Sequence, residues 1–261
     1  MTRTWARTAG ALAAAALLAG CADVASIKYW RYPRNPLAGV EKVAVVRFEN
    51  YTGAQIDLPA FSETFASELA QFQGFTVTRP ADVAARAKQG GHALPPASTA
   101  EAVKLAQFLG VDAVVVGGIT EYDPYYPPRM ALAAQMIGVK RFSLSGTDVD
   151  RLVPSGKPFR VDAGRQDLVV SALEKVYDSN YEPTRIELRG YIKAHSGDDH
   201  AFPEEDAALR VMERYWRFVS NRMVRALVDQ GHDRQEAERR RLEDGAGAGK
   251  RDGTVGGDRG R

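Results

Sequence analysis

The sequence predicts a single α/β domain in which helices pack on a mixed β-sheet. Residues 43–48 and 111–120 are runs of β-branched and other apolar residues, the composition of well-buried strands. Between them, apolar side chains from Leu58 to Phe72 recur at spacings of three and four, which is typical of an amphipathic helix. Strands that alternate with helices imply βαβ units with at least partly parallel pairing.

Turn and cap signals delimit the elements of the first half. A turn over residues 50–53 ends the first strand, and Gly74 ends the helix that follows. The further predicted elements are a strand at residues 75–78, a helix from Pro80 to about residue 88, and a helix that Ser98 or Thr99 caps and Gly110 ends.

The second half has weaker signals. Residues 129–137 are rich in Ala, Met and Leu, which by propensity alone favours a helix. Residues 138–166 are polar and irregular and predict a long surface excursion. We expect a strand at residues 168–177 and a turn at residues 179–183, whereas residues 188–194 are ambiguous.

The longest predicted helix covers residues 204–230. Its apolar face consists of Ala208, Met212, Tyr215, Val219, Met223 and Ala226. Four arginines, which we call the arginine face, lie on the opposite side: Arg210, Arg214, Arg217 and Arg225. Gly231 ends this periodicity, and residues 233–261 form a charged, Gly-rich tail without an apolar pattern that we expect to be disordered.

Composition excludes several classes of protein. Of the 261 residues, 44% are hydrophobic and 26% are charged, which excludes disorder over most of the chain. The formal charge of +2 argues against a dedicated nucleic-acid-binding protein, which needs a clear basic excess. The single cysteine excludes an intramolecular disulfide framework and a cysteine-based zinc cluster.

The amino terminus has the pattern of an export signal. Arg3 and Arg7 precede an uncharged apolar run over residues 9–20, which is too short to span a bilayer. The run ends in Leu-Ala-Gly before Cys21, which resembles the lipobox of bacterial lipoproteins. That resemblance implies cleavage between Gly20 and Cys21, a diacylglycerol on the cysteine sulfur and a third acyl chain on its new amine, with no other cofactor.

The predicted organisation therefore has four parts. They are a signal peptide at residues 1–20, a tether at residues 21–41, an α/β domain at residues 42–232 and the disordered tail at residues 233–261. Without Arg3 and Arg7, the remaining chain carries 33 basic and 33 acidic residues. Any attraction to an anionic surface must therefore come from local patterning.

Two ordered motifs resemble one group of envelope proteins. Residues 43–53, VAVVRFENYTG, resemble the strand–turn "VAVLPFxNxTG" of the CsgG, LpoB and TolB amino-terminal group. Residues 105–122, LAQFLGVDAVVVGGITEY, resemble the helix–strand "A-x-x-LG-A-D-A-V-V-x-G-x-V-x-x-Y" of that group. Arg47 departs from the usual proline, and residues 138–166 have no counterpart.

The resemblance implies a periplasmic α/β domain and changes one element. It makes residues 129–137 a strand antiparallel to the preceding one, and we adopt that prediction. It also implies two functions: a lipid-anchored activator of peptidoglycan synthases, as in the LpoB branch, or a subunit of a secretion channel, as in the CsgG branch. A channel needs transmembrane hairpins, and the charged and proline-rich residues 138–166 do not supply them.

Two surface features are candidates for partner contact. The segment after Tyr122 places Tyr125 and Tyr126 among three prolines, so it forms either a rigid turn or a recognition loop. The arginine face is either a solvated helix surface or a contact for an anionic partner or lipid headgroups.

Known catalytic patterns are not found in the sequence. There is no Gly-x-Ser-x-Gly elbow, and a phosphate-loop match at residues 244–251 fails on sequence. His195 and His200, with two aspartates between them, form either a solvated loop or a metal site. Glu204 and Glu205 complement the dipole of the last helix.

We therefore expect a non-catalytic, protein-binding lipoprotein without a metal site. Ala22 follows the lipidated cysteine in place of the aspartate that retains lipoproteins in the inner membrane. This favours the outer membrane, with the domain facing the periplasm. The alternatives are a secretion-channel subunit and an unrecognised envelope enzyme.

Overall fold

The computed structural model describes residues 33–140, 166–195 and 205–251, with side chains up to residue 244. The strands in these ranges are β1 (Lys42–Val45), β2 (Glu49–Asn50), β3 (Thr76–Thr78), β4 (Ala113–Asp123), β5 (Arg129–Gly138) and β6 (Val169–Asp178). The helices are α1 (Leu58–Ala70), α2 (Pro80–Gln89), α3 (Thr99–Leu109), α4 (Glu182–His195), α5 (Glu205–Arg210) and α6 (Met212–Arg251).

The strands form one mixed sheet in the order β3-β1-β4-β5-β6. Strand β1 pairs in parallel with β3 and β4, and β2 continues in parallel beside β4. Strands β5 and β6 join antiparallel at the other edge. The predicted α/β architecture, with helices on a mixed sheet and a long carboxyl-terminal helix, is therefore confirmed.

Helices cover both faces of the central strands. In β1, Val43 and Val45 belong to the core beneath α1 and α6. Ala44 and the adjoining Val46 belong to a second core beneath α2 and α3. This alternation is the signature of a strand buried on both sides, as the apolar composition predicts.

Residues 129–138 form strand β5, although their composition favours a helix. Residues Arg129–Gly138 pair with β4 on one side and β6 on the other. From Met130 to Gly138 every residue is buried. The antiparallel strand implied by the resemblance is confirmed, because burial between two partners outweighs the modest helix preference of Ala, Met and Leu.

Helix α3 has well-defined ends. The hydroxyl of Ser98, which is the N-cap, accepts a hydrogen bond from the backbone N–H of Glu101 at 3.2 Å. The Glu101 carboxylate in turn accepts one from the N–H of Ala97 at 2.8 Å, completing a capping box. Gly110 ends the helix in the left-handed region, with φ of 69°.

The domain begins before the predicted boundary at residue 42. Leu37 and Val40 are 3% and 0% exposed and belong to the larger core. Arg34 forms a bridge with Gln73, just before β3. The predicted tether over residues 21–41 is therefore too long, because these two apolar side chains bury residues 37–40 in the domain.

The last helix also differs from its prediction. It is broken at Val211 into α5 and α6, and α6 continues through Gly231 to Arg251. A Cβ on Gly231 would lie 3.0 Å from side-chain atoms of both Leu37 and Val170. Gly231 therefore allows close packing rather than ending the helix. The predicted tail is helical over residues 233–251, and residues 252–261 lie outside the described residues.

Residues 188–194, which the sequence leaves ambiguous, are helical and belong to α4. This helix begins at Glu182, inside the turn predicted at residues 179–183. Residues 141–165, most of the predicted excursion at 138–166, lie outside the described residues. No helix within the described ranges combines the length and apolarity needed to cross a bilayer.

A buried carboxylate joins α1 to α6. Glu68 is 4% exposed, and its Oε2 accepts a hydrogen bond of 2.9 Å from Nδ2 of Asn221. Burial raises the pKa of Glu68 above 4.5, and the hydrogen bond from Asn221 and the charges of Arg217 and Arg225 only partly oppose this rise. Ionised Glu68 therefore reduces the stability of the fold.

We predict opposite outcomes for two adjacent glycines in β4. A Cβ on Gly117 would lie 2.3 Å from Cε1 of Phe48, which is 1% exposed. A Cβ on Gly118 would meet the ring of Tyr51, which is held by a hydrogen bond from its hydroxyl to the Glu49 carboxylate but is 40% exposed, so the ring has room to move outward. Urea denaturation should show that Gly117→Ala lowers the free energy of unfolding by about 1–3 kcal/mol. Gly118→Ala should lower the free energy of unfolding clearly less than Gly117→Ala does. Equal losses in the two variants would contradict the close packing of Phe48 against Gly117.

We predict that Glu68→Gln stabilises the protein near neutral pH. The pKa of Glu68 is higher in the folded than in the unfolded state, so stability falls as pH rises through the interval between the two values. Glutamine keeps an acceptor for Asn221 and removes the charge. Thermal denaturation should show a higher Tm at about pH 7, with each kcal/mol adding about 2–4 °C.

The higher Tm of Glu68→Gln should disappear at pH values below the pKa that Glu68 has in the unfolded chain, because glutamate and glutamine are then both neutral. The matched control is Glu41→Gln, at an exposed glutamate. A lower Tm for Glu68→Gln near neutral pH would show that the ionised carboxylate stabilises the α1–α6 interface.

Candidate functional site

Exposed aromatic residues cluster where β4 turns into β5. In this loop Tyr125 is 80% exposed and Tyr126 is 50% exposed. The backbone N–H of Ser179, after β6, donates a hydrogen bond of 3.1 Å to the carbonyl of Pro128. This contact places the loop beside the turn that leads into α4, and prolines on both sides of the tyrosine pair restrict its backbone.

Helix α5 holds one of these tyrosines in place. The hydroxyl of Tyr126 donates a hydrogen bond of 2.6 Å to Oδ1 of Asp206. The Nε of Arg210 donates one of 2.7 Å to Oδ2 of the same carboxylate. The guanidinium carbon of Arg210 also lies 4.6 Å from the centre of the Tyr126 ring. The predicted recognition loop and the first arginine of the arginine face therefore form one contact.

These contacts shift the pKa values of two groups in opposite directions. The hydrogen bond to Asp206 raises the pKa of Tyr126, because it favours the neutral phenol. The same bond, together with Arg210, lowers the pKa of Asp206 below its usual value. Asp206 is therefore ionised and Tyr126 neutral at physiological pH.

A second ion-pair group joins α4 to α5. Glu205 accepts hydrogen bonds from Nε of Arg185 at 2.6 Å and from Nη1 of Arg189 at 3.2 Å. Arg189 also donates to Glu182 at 2.5 Å. The two arginines hold the pKa of Glu205 below its usual value. Several charges in one network restrain the side chains more than isolated surface pairs do.

Further large side chains lie exposed on α4 or directly next to α4 and α5. Beside Tyr125 and Tyr126, the set comprises Tyr181 at 63%, Ile186 at 57% and Val211 at 39% exposed. We call these five residues, with Arg210, the tyrosine surface. Tyrosine and arginine are the residue types that dominate binding energy in protein interfaces.

The remaining predicted residues have different environments. Arg214 and Arg217 are exposed, and neither forms an ion pair within the part of the chain that the structure describes. Arg225 is half-buried and its Nε donates a hydrogen bond of 3.1 Å to Oδ1 of Asn221. Tyr122 is partly buried against the larger core. The tyrosine surface therefore includes Tyr125, Tyr126 and Arg210 but not Tyr122 or Arg225.

Sequence reasoning did not identify the acidic residues of this site. The sequence predicts that Glu205 complements the helix dipole, and it does not single out Asp206. Both are in the first turn of α5, and both also bind arginines. The adjacent acidic residues are visible in the sequence, but their partners Tyr126 and Arg185 are distant along the chain.

The other candidates give no additional site among the described residues. The Nδ1 of His195 lies 2.8 Å from the carbonyl oxygen of Tyr191, and the two rings are 4.0 Å apart. His200 and the aspartates beside it lie outside the described residues, as do Gly20 and Cys21. Within the ranges that the structure describes, no three His, Cys, Asp or Glu side chains converge as metal ligands.

The solved structures to which this chain shows similarity are distant. The lipoprotein GNA1162 from Neisseria meningitidis is 18% identical with a TM-score of 0.37, covering 58% of this chain and 95% of that one. The LpoB C-terminal domain from Salmonella enterica is 15% identical with a TM-score of 0.37, covering 58% and 99%. The hypothetical protein CT253 from Chlamydia trachomatis is 14% identical with a TM-score of 0.35, covering 76% and 99%.

No family model matches the chain, and no curated protein matches its sequence.

We predict that Asp206→Asn lowers the pKa of Tyr126 towards its ordinary value of 10.0. The substitution removes the negative charge that favours the neutral phenol. A pH titration followed by NMR of ¹³C-labelled tyrosine rings measures this change residue by residue. Asp123→Asn is the matched control, because Asp123 bonds to the backbone N–H of Tyr125 in the same loop. An unchanged Tyr126 titration in Asp206→Asn would show that the hydrogen bond is not formed in solution.

Proposed function

We propose that this protein is a lipid-anchored, non-catalytic protein of the bacterial envelope that binds a partner protein through the tyrosine surface. The single observation that carries the binding proposal is the Tyr126–Asp206–Arg210 contact, which holds an exposed aromatic side chain in one orientation. The anchoring proposal rests on the lipobox that ends at Cys21.

The anchor has a simple energetic basis. Each buried methylene of an acyl chain contributes about 0.8 kcal/mol, and two or more chains give stable membrane attachment. A triacylated Cys21 would therefore hold the protein on the outer membrane without contacts from the folded domain. Ala22, next to it, favours this membrane over the inner one.

The tyrosine surface has the features of a protein-binding site. Tyrosine offers a large contact area at a low conformational-entropy cost, since it has few rotatable bonds. The contacts to Asp206 and Arg210 restrict Tyr126 further, so less entropy is lost on binding. Tyr125, at 80% exposure, remains available to a partner.

A binding role fits the pairing of the charged groups better than catalysis does. Asp206 is shared between Tyr126 and Arg210, and Glu205 is shared between Arg185 and Arg189. The lowered pKa values of Asp206 and Glu205 keep both carboxylates ionised. A general acid or base instead needs a pKa near the working pH. These charges position the surface rather than exchange protons.

The fold supports an orientation away from the membrane. The described chain begins at Pro33, and Arg34 and Asn35 lie beside Gln73, at the amino ends of the parallel strands. The tyrosine loop follows β4 and so lies at the carboxyl ends. In a chain attached through Cys21, the tyrosine surface would then lie at the end of the sheet that is farther from the point of attachment.

We predict that Cys21→Ala releases the protein into the soluble periplasmic fraction. The substitution removes the only acylation site, and the described helices include none suited to span a bilayer. Fractionation of cells followed by immunoblotting measures the change. Retention of the variant on the outer membrane would contradict lipid as the sole anchor.

We predict that the tyrosine surface makes the partner contact in the native envelope. A photo-crosslinking amino acid in place of Tyr125 should capture one protein in stoichiometric amount, and Tyr126→Ala in the same chain should reduce this capture. The matched control position is Phe108, an aromatic residue of similar exposure (42%) near the carboxyl end of α3.

Two results would overturn this assignment. Equal capture from positions 125 and 108 would show that the surface has no specific partner. Ring-shaped oligomers in detergent, cross-linked only to copies of the same chain, would instead favour the secretion-channel alternative.

A further inference from the structure

A groove lies beside the carboxyl end of β1, at the point where its neighbour β3 ends. The pairing of the two strands extends only to Ala44 and Thr78. Two residues later Pro80 begins α2, and a proline has no N–H with which to continue the ladder. The side of β1 that faces β3 is therefore left uncovered beyond Val45. The resulting groove has a volume of about 610 Å³, and we call it the strand-end groove.

A bulge in the link from β1 to β2 shapes the floor of this groove. Both strands pair with β4, but the chain advances by four residues from Val45 to Glu49 while β4 advances by three, from Val115 to Gly118. At the extra residue the backbone N–H of Phe48 donates a hydrogen bond of 2.9 Å to Oγ of Ser62 on α1. A bulge interrupts the regular ladder and leaves a neighbouring residue unpaired.

Arg47 is the residue that this bulge leaves without backbone pairing. It is exposed and lines the strand-end groove. Neither its N–H nor its C=O has a hydrogen-bond partner among the described residues. An exposed sheet edge with unpaired backbone groups is a template to which an extended peptide can add as a further strand.

The walls of the strand-end groove come from both cores of the domain. Phe48 and Leu58 belong to the core beneath α1 and α6, whereas Val46 and Leu94 belong to the core beneath α2 and α3. The five residues 46–50 line the groove in succession, and an extended chain of that length spans about 16 Å. Successive side chains of a strand point to opposite faces, so a strand in this groove has an apolar wall on each side.

The charges at the groove favour an acidic residue in its occupant. Both lining carboxylates have a partner: Glu63 pairs with Arg79 at 3.4 Å, and Glu49 accepts a hydrogen bond from the hydroxyl of Tyr51. The guanidinium of Arg47 forms no ion pair with any residue that the structure describes. A carboxylate brought in by a partner would therefore complement Arg47.

We infer that the strand-end groove binds an extended, mainly apolar segment of a partner protein, which adds to the sheet beside β1 and places an acidic residue near Arg47. The backbone of the segment forms hydrogen bonds with the N–H and C=O of Arg47, and its side chains alternate between the two walls. In this mode of recognition the backbone bonds give affinity and the walls select side chains. The groove shares no residue with the tyrosine surface, so this contact is additional to the one proposed above.

Fluorescence polarisation of dye-labelled peptides tests the inference on the full chain in lipid nanodiscs, where no detergent competes for the groove. The probes are acetylated hexapeptides of alternating Val and Ala in which one position after another is replaced by Glu, and a matched set carries Lys in place of Glu. At least one Glu peptide should bind saturably, and its Lys counterpart should bind about fivefold or more weakly, because a like charge then meets Arg47.

Methylation of the peptide backbone distinguishes strand addition from apolar contact alone. In an added strand, alternate N–H groups point to the neighbouring strand and the others point away from it. Methylation of one alternating set of peptide nitrogens should therefore abolish binding, whereas methylation of the other set should leave the Kd nearly unchanged.

Variants of the protein locate the binding in the groove. Ala84 is an exposed residue of α2 that lines the groove, so Ala84→Trp should fill it and weaken binding about tenfold or more. The matched control is Ala85→Trp, at an exposed alanine of the same helix that is not part of the lining. Arg47→Gln should remove the preference for Glu over Lys. Tyr126→Ala, in the tyrosine surface, should leave the Kd unchanged.

Three results would overturn the inference. They are the absence of binding by every peptide of the set, equal weakening by Ala84→Trp and Ala85→Trp, and equal binding of the two methylated sets. Binding of dodecanoate, which has no N–H groups, without binding of any peptide would instead identify a fatty-acid site. Circular dichroism of the free variants should match that of the unmodified chain, and this control separates a blocked groove from a disturbed fold.

Discussion

Parallel pairing of β1 with β4 is the constraint on which the rest of the structure depends. Both strands are buried on both faces, so each face needs a helical layer. Helix α1 connects β1 to β3 on one face, and α2 and α3 connect β3 to β4 on the other. The connections therefore diverge at the carboxyl end of β1, and this divergence opens a groove between the first turns of α1 and α2.

Close packing of the long helix against the sheet determines which surfaces remain free. Phe61 on α1 stacks edge-on against Trp216 on α6, with ring centres 5.9 Å apart, and Gly231 allows α6 to approach Val170. The start of α6 brings α5 to the tyrosine loop. The end of the sheet at which β4 turns into β5 thus carries the exposed tyrosine surface.

Much of the fold follows from local sequence signals, whereas most of the candidate site does not. The strand at β4, helix α1 and the cap at Ser98 are visible as periodicity and turn chemistry, since they involve residues close along the chain. Gly231 was misinterpreted as a helix end, because its role depends on contact with Leu37 and Val170. Residues 37–40 were assigned to a tether, although two apolar side chains bury them. Tyr126 and Arg210 were identified separately, but Asp206, which joins them, was not.

The sequence by itself determined the α/β class, most helix and strand positions, and the prediction of a lipidated Cys21, since each depends on neighbouring residues. It also placed Tyr125, Tyr126 and Arg210 among the candidates. Only the tertiary structure decided that α6 continues through Gly231 and that Asp206 links the tyrosine loop to α5. The reason is physical: hydrogen bonding and desolvation depend on which distant side chains meet, and the periodicity of one segment carries no information about its partners.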